Sequence, residues 1–306
     1  MSIIRKCYKN GVQHVCQKSY DNGIIFYSNV DYIVFFTLLC VKATQKNLSV
    51  LAICLMLNHF HIEASFPNKS VMSSFMNGLT SSFARMYNKQ YKLSDKVFKK
   101  PFRNAPKYSD KKVRDNFIYI ANNPVEKKAV SKAEEYRWNF IKYMESQTPF
   151  SEPLNPLTAS KTLLSLMRKV KTRYSRGWYL DYSFFRKGYD SLIEKERLQL
   201  IDFIVSTYNV IDKDLILSIY GSVETAIQAM NSVSGSEYDM TDDYSDEDYR
   251  HYYKMVRIAK REGYDLRKIR FNPSESDKYE EMRHCFRNEV SASEYEIAKF
   301  LHTLSD

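Results

Sequence analysis

At 306 residues and 44% hydrophobic content, the chain can bury a sizeable core and form two domains of ordinary size, which excludes a disordered protein. There is no apolar run of about 18 residues that would suggest a membrane span, and Met1 to Cys7 lacks the apolar stretch of a secretion signal. The net charge of +10 is uneven, with 23 Lys and Arg against 10 Asp and Glu in residues 1–150 and 23 against 26 in the remainder, so the first half is the half suited to a polyanion.

In chain order, residues 13–20 read as a first strand. A helix follows from Asn29 to Asn47, with Asp31 near its start and Tyr32, Phe35, Phe36 and Leu39 on one face. Lys42 interrupts that stripe, which predicts a more exposed last turn. Residues 48–57 and 59–66 read as two strands joined by a bent strand or a tight hairpin around Leu57-Asn58. Side chains on a strand alternate faces, so His59 and His61 point the same way and Phe60 points into the core. Two neutral imidazoles on one rigid strand are either a ready pair of metal ligands or two ordinary strand histidines. Glu63 shares their face and reads as an extra ligand, an orienting carboxylate, or a strand-end charge.

Asn68 opens a helix from Ser70 to Gln90 whose Met72, Phe75, Met76, Leu79, Phe83 and Met86 form a core stripe. Lys96 to Phe102 reads as a short strand. The densest basic stretch runs through Lys92, Lys96, Lys99, Lys100, Arg103, Lys107, Lys111, Lys112 and Arg114, with Phe98, Phe102 and Tyr108 interleaved. Cations track phosphates and rings stack on unpaired bases, so this composition suits single-stranded nucleic acid. Lys111 to Asn122 reads as a helix on which Tyr119 and Asn123 are four apart and share a face. Pro124 biases Asn123 away from helical backbone and places it at a fraying end.

The order strand, helix, strand, strand, helix, strand, helix predicts an α+β fold. Its core is a ferredoxin-like split βαβ antiparallel sheet with helices on one face, followed by an all-helical C-terminal region. The prolines of residues 146–160 mark a linker between residues 1–145 and 161–306. Beyond it, helices are expected at Ser160–Arg173, Ser191–Asn209, Asp212–Tyr220 and from Ser222 to Met230. Glu237 to Asp248 is acidic and reads as a solvated loop or helix start. Arg257, Lys260, Arg261, Arg267, Lys268 and Arg270 could hold a phosphate backbone. Ser293 and Glu296 fit a capping box ahead of a final helix, which is too short before Asp306 for a full recognition unit and is expected to pack back on the protein. Five cysteines with no Cys-x-x-Cys pair predict free thiols and a cytoplasmic location.

The triplet His59-Phe60-His61, the stretches Phe83-Ala84-Arg85-Met86-Tyr87-Asn88 and Val97-Phe98-Lys99-Lys100-Pro101-Phe102, and the phrase Tyr119-Ile120-Ala121-Asn122-Asn123-Pro124-Val125 together resemble the single-tyrosine HUH transposases, especially their REP-associated branch. The resemblance covers roughly residues 10–145. It implies that Tyr119 is the nucleophile that cleaves and rejoins single-stranded DNA, hairpin-associated in that branch, through a 5′-phosphotyrosine. It also implies that His59, His61 and Asn123 hold Mg²⁺ or Mn²⁺, with Glu63 as a candidate behind them. Arg85, Lys96, Lys99, Lys100, Arg103, Lys107, Lys111, Lys112 and Arg114 are the expected DNA contacts. The competing reading is a DNA-hairpin-binding protein, derived from such a transposase, that no longer cuts. Relatives occur as monomers and as homodimers, and either state is compatible with this sequence.

Overall fold

In the computed structural model, residues 7–20, 22–232, 249–264, 276–301 and 303 are described. Four strands, β1 (Gly11–Lys18), β2 (Ser49–Met56), β3 (His59–Phe66) and β4 (Arg103–Lys107), form one antiparallel sheet in the order β2-β3-β1-β4. The helix α1 (Asn29–Gln45) connects β1 to β2, and α2 (Lys69–Tyr91) connects β3 to β4. This is the expected α+β split βαβ sheet. The fourth strand is not at Lys96–Phe102. Val97 and Phe98 are buried but make only an isolated bridge, Ser19 to Phe98, and the ladder forms one segment later. Pro106 is tolerated there because β4 is an edge strand and needs no donor on its outer side.

The alternation of β3 divides the helices between the faces. Phe60 and Phe66 point toward α1 and α2, where Phe60 meets Phe35 at 4.8 Å and Phe66 meets Phe75 at 5.8 Å between ring centroids. The opposite row, with His61, faces α3 (Asp110–Glu126), whose Tyr119 ring lies 5.8 Å from the His61 ring. The sheet therefore carries two helices on one face and α3 on the other, a refinement of the one-face arrangement expected from sequence. Ser28 caps α1 through a capping box with Asp31, and Asn68 and Ser109 cap α2 and α3.

Helix α3 does not fray at Asn123. It continues through Pro124 to Glu126, because its last turns are held from outside. Asn122 Nδ2 donates to Met230 O at 2.7 Å, and the Tyr249 N–H donates to Lys127 O at 3.1 Å.

The later helices are α4 (Lys161–Ser175), α5 (Tyr182–Phe185), α6 (Glu194–Tyr208), α7 (Lys213–Tyr220), α8 (Val223–Ser232), α9 (Tyr249–Arg261), α10 (Ser276–Cys285) and α11 (Glu294–Leu301). They pack directly on the sheet and its helices. Helix α6 covers the outer side of α1, which is why α1 is apolar nearly all round. Residue 211 bridges Val50 in parallel, and the Asp212 N–H donates to Val50 O at 2.8 Å, so the β2 edge is covered. Arg137 pairs with the fully buried Asp202, which also accepts from Tyr143 and from the Phe150 N–H. Helix α11 packs back on the body: Ile297, Phe300 and Leu301 are buried, and Tyr27 stands edge-on to Phe300 at 5.5 Å. The acidic stretch Glu237–Asp248 lies outside the described residues, as do Arg267, Lys268 and Arg270. No described helix is long and apolar enough to cross a membrane.

Candidate metal and nucleophile site

The pairing register builds the site. Lys18 lies opposite His59, Cys16 opposite His61, and His14 opposite Glu63. Directly opposed residues share a face, so β1 contributes the row His14, Cys16, Lys18 beside the row His59, His61, Glu63. Strand β4 continues the face with Arg103 opposite Cys16 and Ala105 opposite His14. Over it lies α3, where Asn116, Tyr119 and Asn123 recur at spacings of three and four and are all buried.

The structure brings His59, His61, Asn123 and Tyr119 together. His59 Nε2 and Asn123 Oδ1 are 3.3 Å apart, as are Asn123 Nδ2 and His61 Nε2. Donors bound to one cation at about 2.1 Å sit roughly 3.0–3.4 Å from each other; His59 Nε2 and Asn123 Oδ1 have that separation, while Asn123 Nδ2, an amide N–H donor that cannot ligate, faces His61 Nε2. The far side of each imidazole is fixed as well. His59 Nδ1 lies 2.7 Å from Asn58 Oδ1. The Asn58 amide is oriented by its own Nδ2, which donates to Asn22 O at 3.0 Å, and its Oδ1 also accepts from the Tyr249 hydroxyl at 2.7 Å. An acceptor at Nδ1 keeps the proton there and leaves the Nε2 lone pair facing Asn123. His61 Nδ1 meets His14 Nε2 at 2.8 Å, which leaves its Nε2 for the same centre. Burial holds His14 and His59 well below the ordinary histidine range, with charge on neighbouring groups acting in the same direction, so both are neutral as ligands must be.

Asn58 orients His59 from behind, and this has a measurable consequence. Asn58→Ala should weaken Mn²⁺ binding by about 10- to 100-fold while the fold persists. Tyr249→Phe, which leaves the Asn58 oxygen in place, should have a smaller effect in the same direction. Calorimetric titration of both variants checks this, and unchanged affinity in Asn58→Ala would remove the orienting role.

Tyr119 is 4% exposed, and its ring lies 5.8 Å from both His14 and His61. Glu63 is not a strand-end charge. It is fully buried, neither carboxyl oxygen has a well-formed hydrogen bond, and burial pushes its pKa up to about 8, with Asn116 and Lys107 offsetting only part of that cost. It therefore holds a proton at neutral pH. The folded pKa exceeds the unfolded one, so its contribution is fully present below about pH 4.5 and is lost as pH rises toward about 8. In chelator-treated protein, Glu63→Gln should gain stability at pH 8.5 relative to the parent, by up to a few kcal/mol, and change little at pH 5. Thermal unfolding at the two pH values tests this; an equal shift at both would refute it.

Two donor sets meet at His61. Besides His59 and Asn123, ligand atoms of His14, Cys16 and His61 lie within 4.8 Å of one another, all buried. Sequence reading missed His14, Cys16, Lys18, Asn58 and Asn116. The period-two row His14, Cys16, Lys18 was visible in β1, but only the register sets it beside His59 and His61.

The expected DNA contacts divide by location. Arg85, Lys96, Lys99, Lys100, Arg103, Lys111 and Arg114 are exposed, and Lys107 and Lys112 are half-buried. Arg103 and Lys107 flank the candidate site on β4. Lys96 lies over the exposed Tyr20 ring at 5.0 Å and, with Lys100, borders a cavity of about 440 Å³. Arg114 is occupied by Ile219 O at 2.8 Å. Of the interleaved rings, Phe98 and Phe102 are buried in the core and cannot stack on bases, whereas Tyr108 is exposed with Lys112 over its ring at 4.6 Å.

Residues 13–123 match the family described as transposase, IS200 like. No curated protein matches the chain. It is similar to a solved structure of a REP-associated tyrosine transposase bound to a REP hairpin, at 13% identity over 53% of this chain and 95% of that one, with a TM-score of 0.43.

Proposed function

We propose, for a chain whose residues 13–123 match the IS200-like transposase family, that it cleaves and rejoins single-stranded DNA with Tyr119 as nucleophile. The observation that carries this reading is that the Asn123 amide, on the Tyr119 helix, lies 3.3 Å from His59 Nε2 through its oxygen and 3.3 Å from His61 Nε2 through its nitrogen. The Tyr119 oxygen attacks a backbone phosphorus, the bond from phosphorus to the 3′ oxygen breaks, and the departing strand leaves as a free 3′-OH. The 5′ phosphate stays on Tyr119, so the energy of the ester is conserved for rejoining by a 3′-OH without ATP. A phenol with an ordinary pKa of about 10 is a weak nucleophile at neutral pH. When Mg²⁺ or Mn²⁺ is held by His59, His61 and Asn123, it supplies the Lewis acidity that polarises the phosphate.

The chain's own residues set the conditions. Asn58 Oδ1 keeps the His59 proton on Nδ1, His14 holds His61 by its Nδ1, and Arg103 and Lys107 supply positive charge on the same face. Carboxylate is scarce in the site, since Glu63 is protonated at neutral pH, and this favours an anionic strand. Because Tyr119 is 4% exposed, a strand reaches it only when α3 or the phenol moves; the site as described is closed. Hairpin-bearing substrates are the first choice for assay, on the resemblance to the REP-associated branch. Incubation of labelled hairpin oligonucleotides with the protein should give nicked product with Mn²⁺ or Mg²⁺ and none with chelator. Tight hairpin binding with no product under either ion would favour the non-cutting alternative.

A further inference from the structure

A second nucleic-acid site lies where α9 crosses the β2–β3 hairpin. A cavity of about 480 Å³ opens there between the aromatic core and α9, lined on the core side by Tyr32, Trp138 and Leu57. Tyr32 and Trp138 stack on each other at 4.4 Å and 5°. The α9 side supplies Tyr253 and the exposed cations Arg250, Lys254, Arg257 and Lys260. These cations recur at three- and four-residue spacing and form one stripe, while Tyr249, Tyr252, Met255, Ile258 and Ala259 bury the opposite face. Arg261 is not part of the stripe; it is paired with Glu289 at 2.6 Å.

The cavity is tied to the candidate catalytic centre by hydrogen bonds. Tyr249, at the start of α9, donates from its backbone to Lys127 O at the end of the Tyr119 helix and from its hydroxyl to Asn58, the residue that orients His59. Tyr253, one turn later, donates to the Tyr136 hydroxyl at 3.1 Å, and Tyr136 donates to Leu55 O in β2 at 2.8 Å. Leu57 of the cavity precedes His59 by two residues on the same hairpin. A strand with a phosphate at Tyr119 would therefore have nucleotides within reach of this cavity.

We propose that the cavity holds one or two nucleotides of the DNA strand flanking the scissile phosphate, with Lys254, Arg257 and Lys260 on the phosphates and the half-buried Tyr253 ring against a base. The volume is in the range of small-ligand sites, and the pairing of π-faces with a cationic rail is the chemistry that single strands select. The cationic side of the site is built by a helix outside the segment matched to the family. The inference rests on the reading that the chain acts on single-stranded DNA.

The test uses the full chain and a set of single-stranded oligonucleotides extended stepwise on either side of the cleavage site, with affinity read by fluorescence anisotropy in chelator. The double variant Lys254→Glu/Arg257→Glu should weaken binding of long oligonucleotides by about tenfold or more and lower the salt slope by about 1.4, the value for two lost phosphate contacts. Short oligonucleotides confined to the central site should bind both proteins equally. A strand carrying 5-iodouracil at the position where affinity steps up should photo-crosslink to the peptide containing Tyr253. Equal weakening of short and long strands, or no weakening at all, overturns the proposal, as does crosslinking confined to the Lys96–Lys112 stretch. Because binding is read without cleavage, absence of nicking would count against the catalytic reading alone and leave this comparison decisive.

Discussion

Tyr119→Phe will bind single-stranded DNA as the parent does and will form no covalent protein–DNA adduct. The substitution removes one oxygen from a ring that is 4% exposed and packed 5.8 Å from two imidazoles, so the core contacts of the helix are kept. The cations proposed to contact DNA lie on α2, on β4, between them and in the first two turns of α3, none of them adjacent to residue 119. Cleavage should fall by on the order of 10⁴-fold or more, the scale seen when a nucleophile is removed from an otherwise intact site. Gel-shift affinity within a factor of about two, alongside loss of product, separates this from a folding defect. Residual cleavage at more than a few per cent would assign the nucleophile to another residue.

Removal of the metal-facing imidazoles should distinguish the two donor sets that share His61. If the cation sits between His59, His61 and Asn123, His59→Ala and His61→Ala each lose at least about a hundredfold in Mn²⁺ affinity, while Cys16→Ser changes it little. If the cation sits instead among His14, Cys16 and His61, Cys16→Ser becomes the damaging change and His59→Ala the mild one. The chemistry of the donors favours the first arrangement for Mg²⁺ or Mn²⁺, since a buried thiol suits softer ions and the Asn123 amide supplies an oxygen. Titration calorimetry on the three variants, each checked for an intact thermal transition, decides between them.

The parts of this site that could be read from sequence are those carried by local periodicity. His59 and His61 are two apart on a strand, Tyr119 and Asn123 four apart on a helix, and each spacing alone fixes a shared face. What the sequence could not supply was register. His14 and Cys16 join the centre only because β1 pairs with β3 so that Cys16 faces His61 and His14 faces Glu63. Asn58 lies in a hairpin turn whose geometry is set by Tyr249, nearly two hundred residues away in the chain. Two local signals misled. Val97-Phe98 has strong strand preference, yet packs into the core beside β1 while the ladder forms at Arg103–Lys107. The residue before Pro124 is biased away from helix, yet the contacts of Asn122 and Lys127 with the C-terminal helices hold the last turn closed. Glu63 looked like an end-of-strand charge because nothing local reveals that α3 covers it. Two C-terminal helix starts were legible from their caps: Ser222 Oγ accepts from the Thr225 N–H and Ser293 Oγ from the Glu296 N–H.

The most direct measurement is peptide mapping by mass spectrometry after trapping with a nicked or phosphorothioate-bearing hairpin oligonucleotide in Mn²⁺. The account predicts one modified peptide, with the 5′ phosphate of the downstream strand on Tyr119, and no modification in chelator or in His61→Ala. An adduct on any other of the 24 tyrosines, or one that forms equally without the metal, would contradict it.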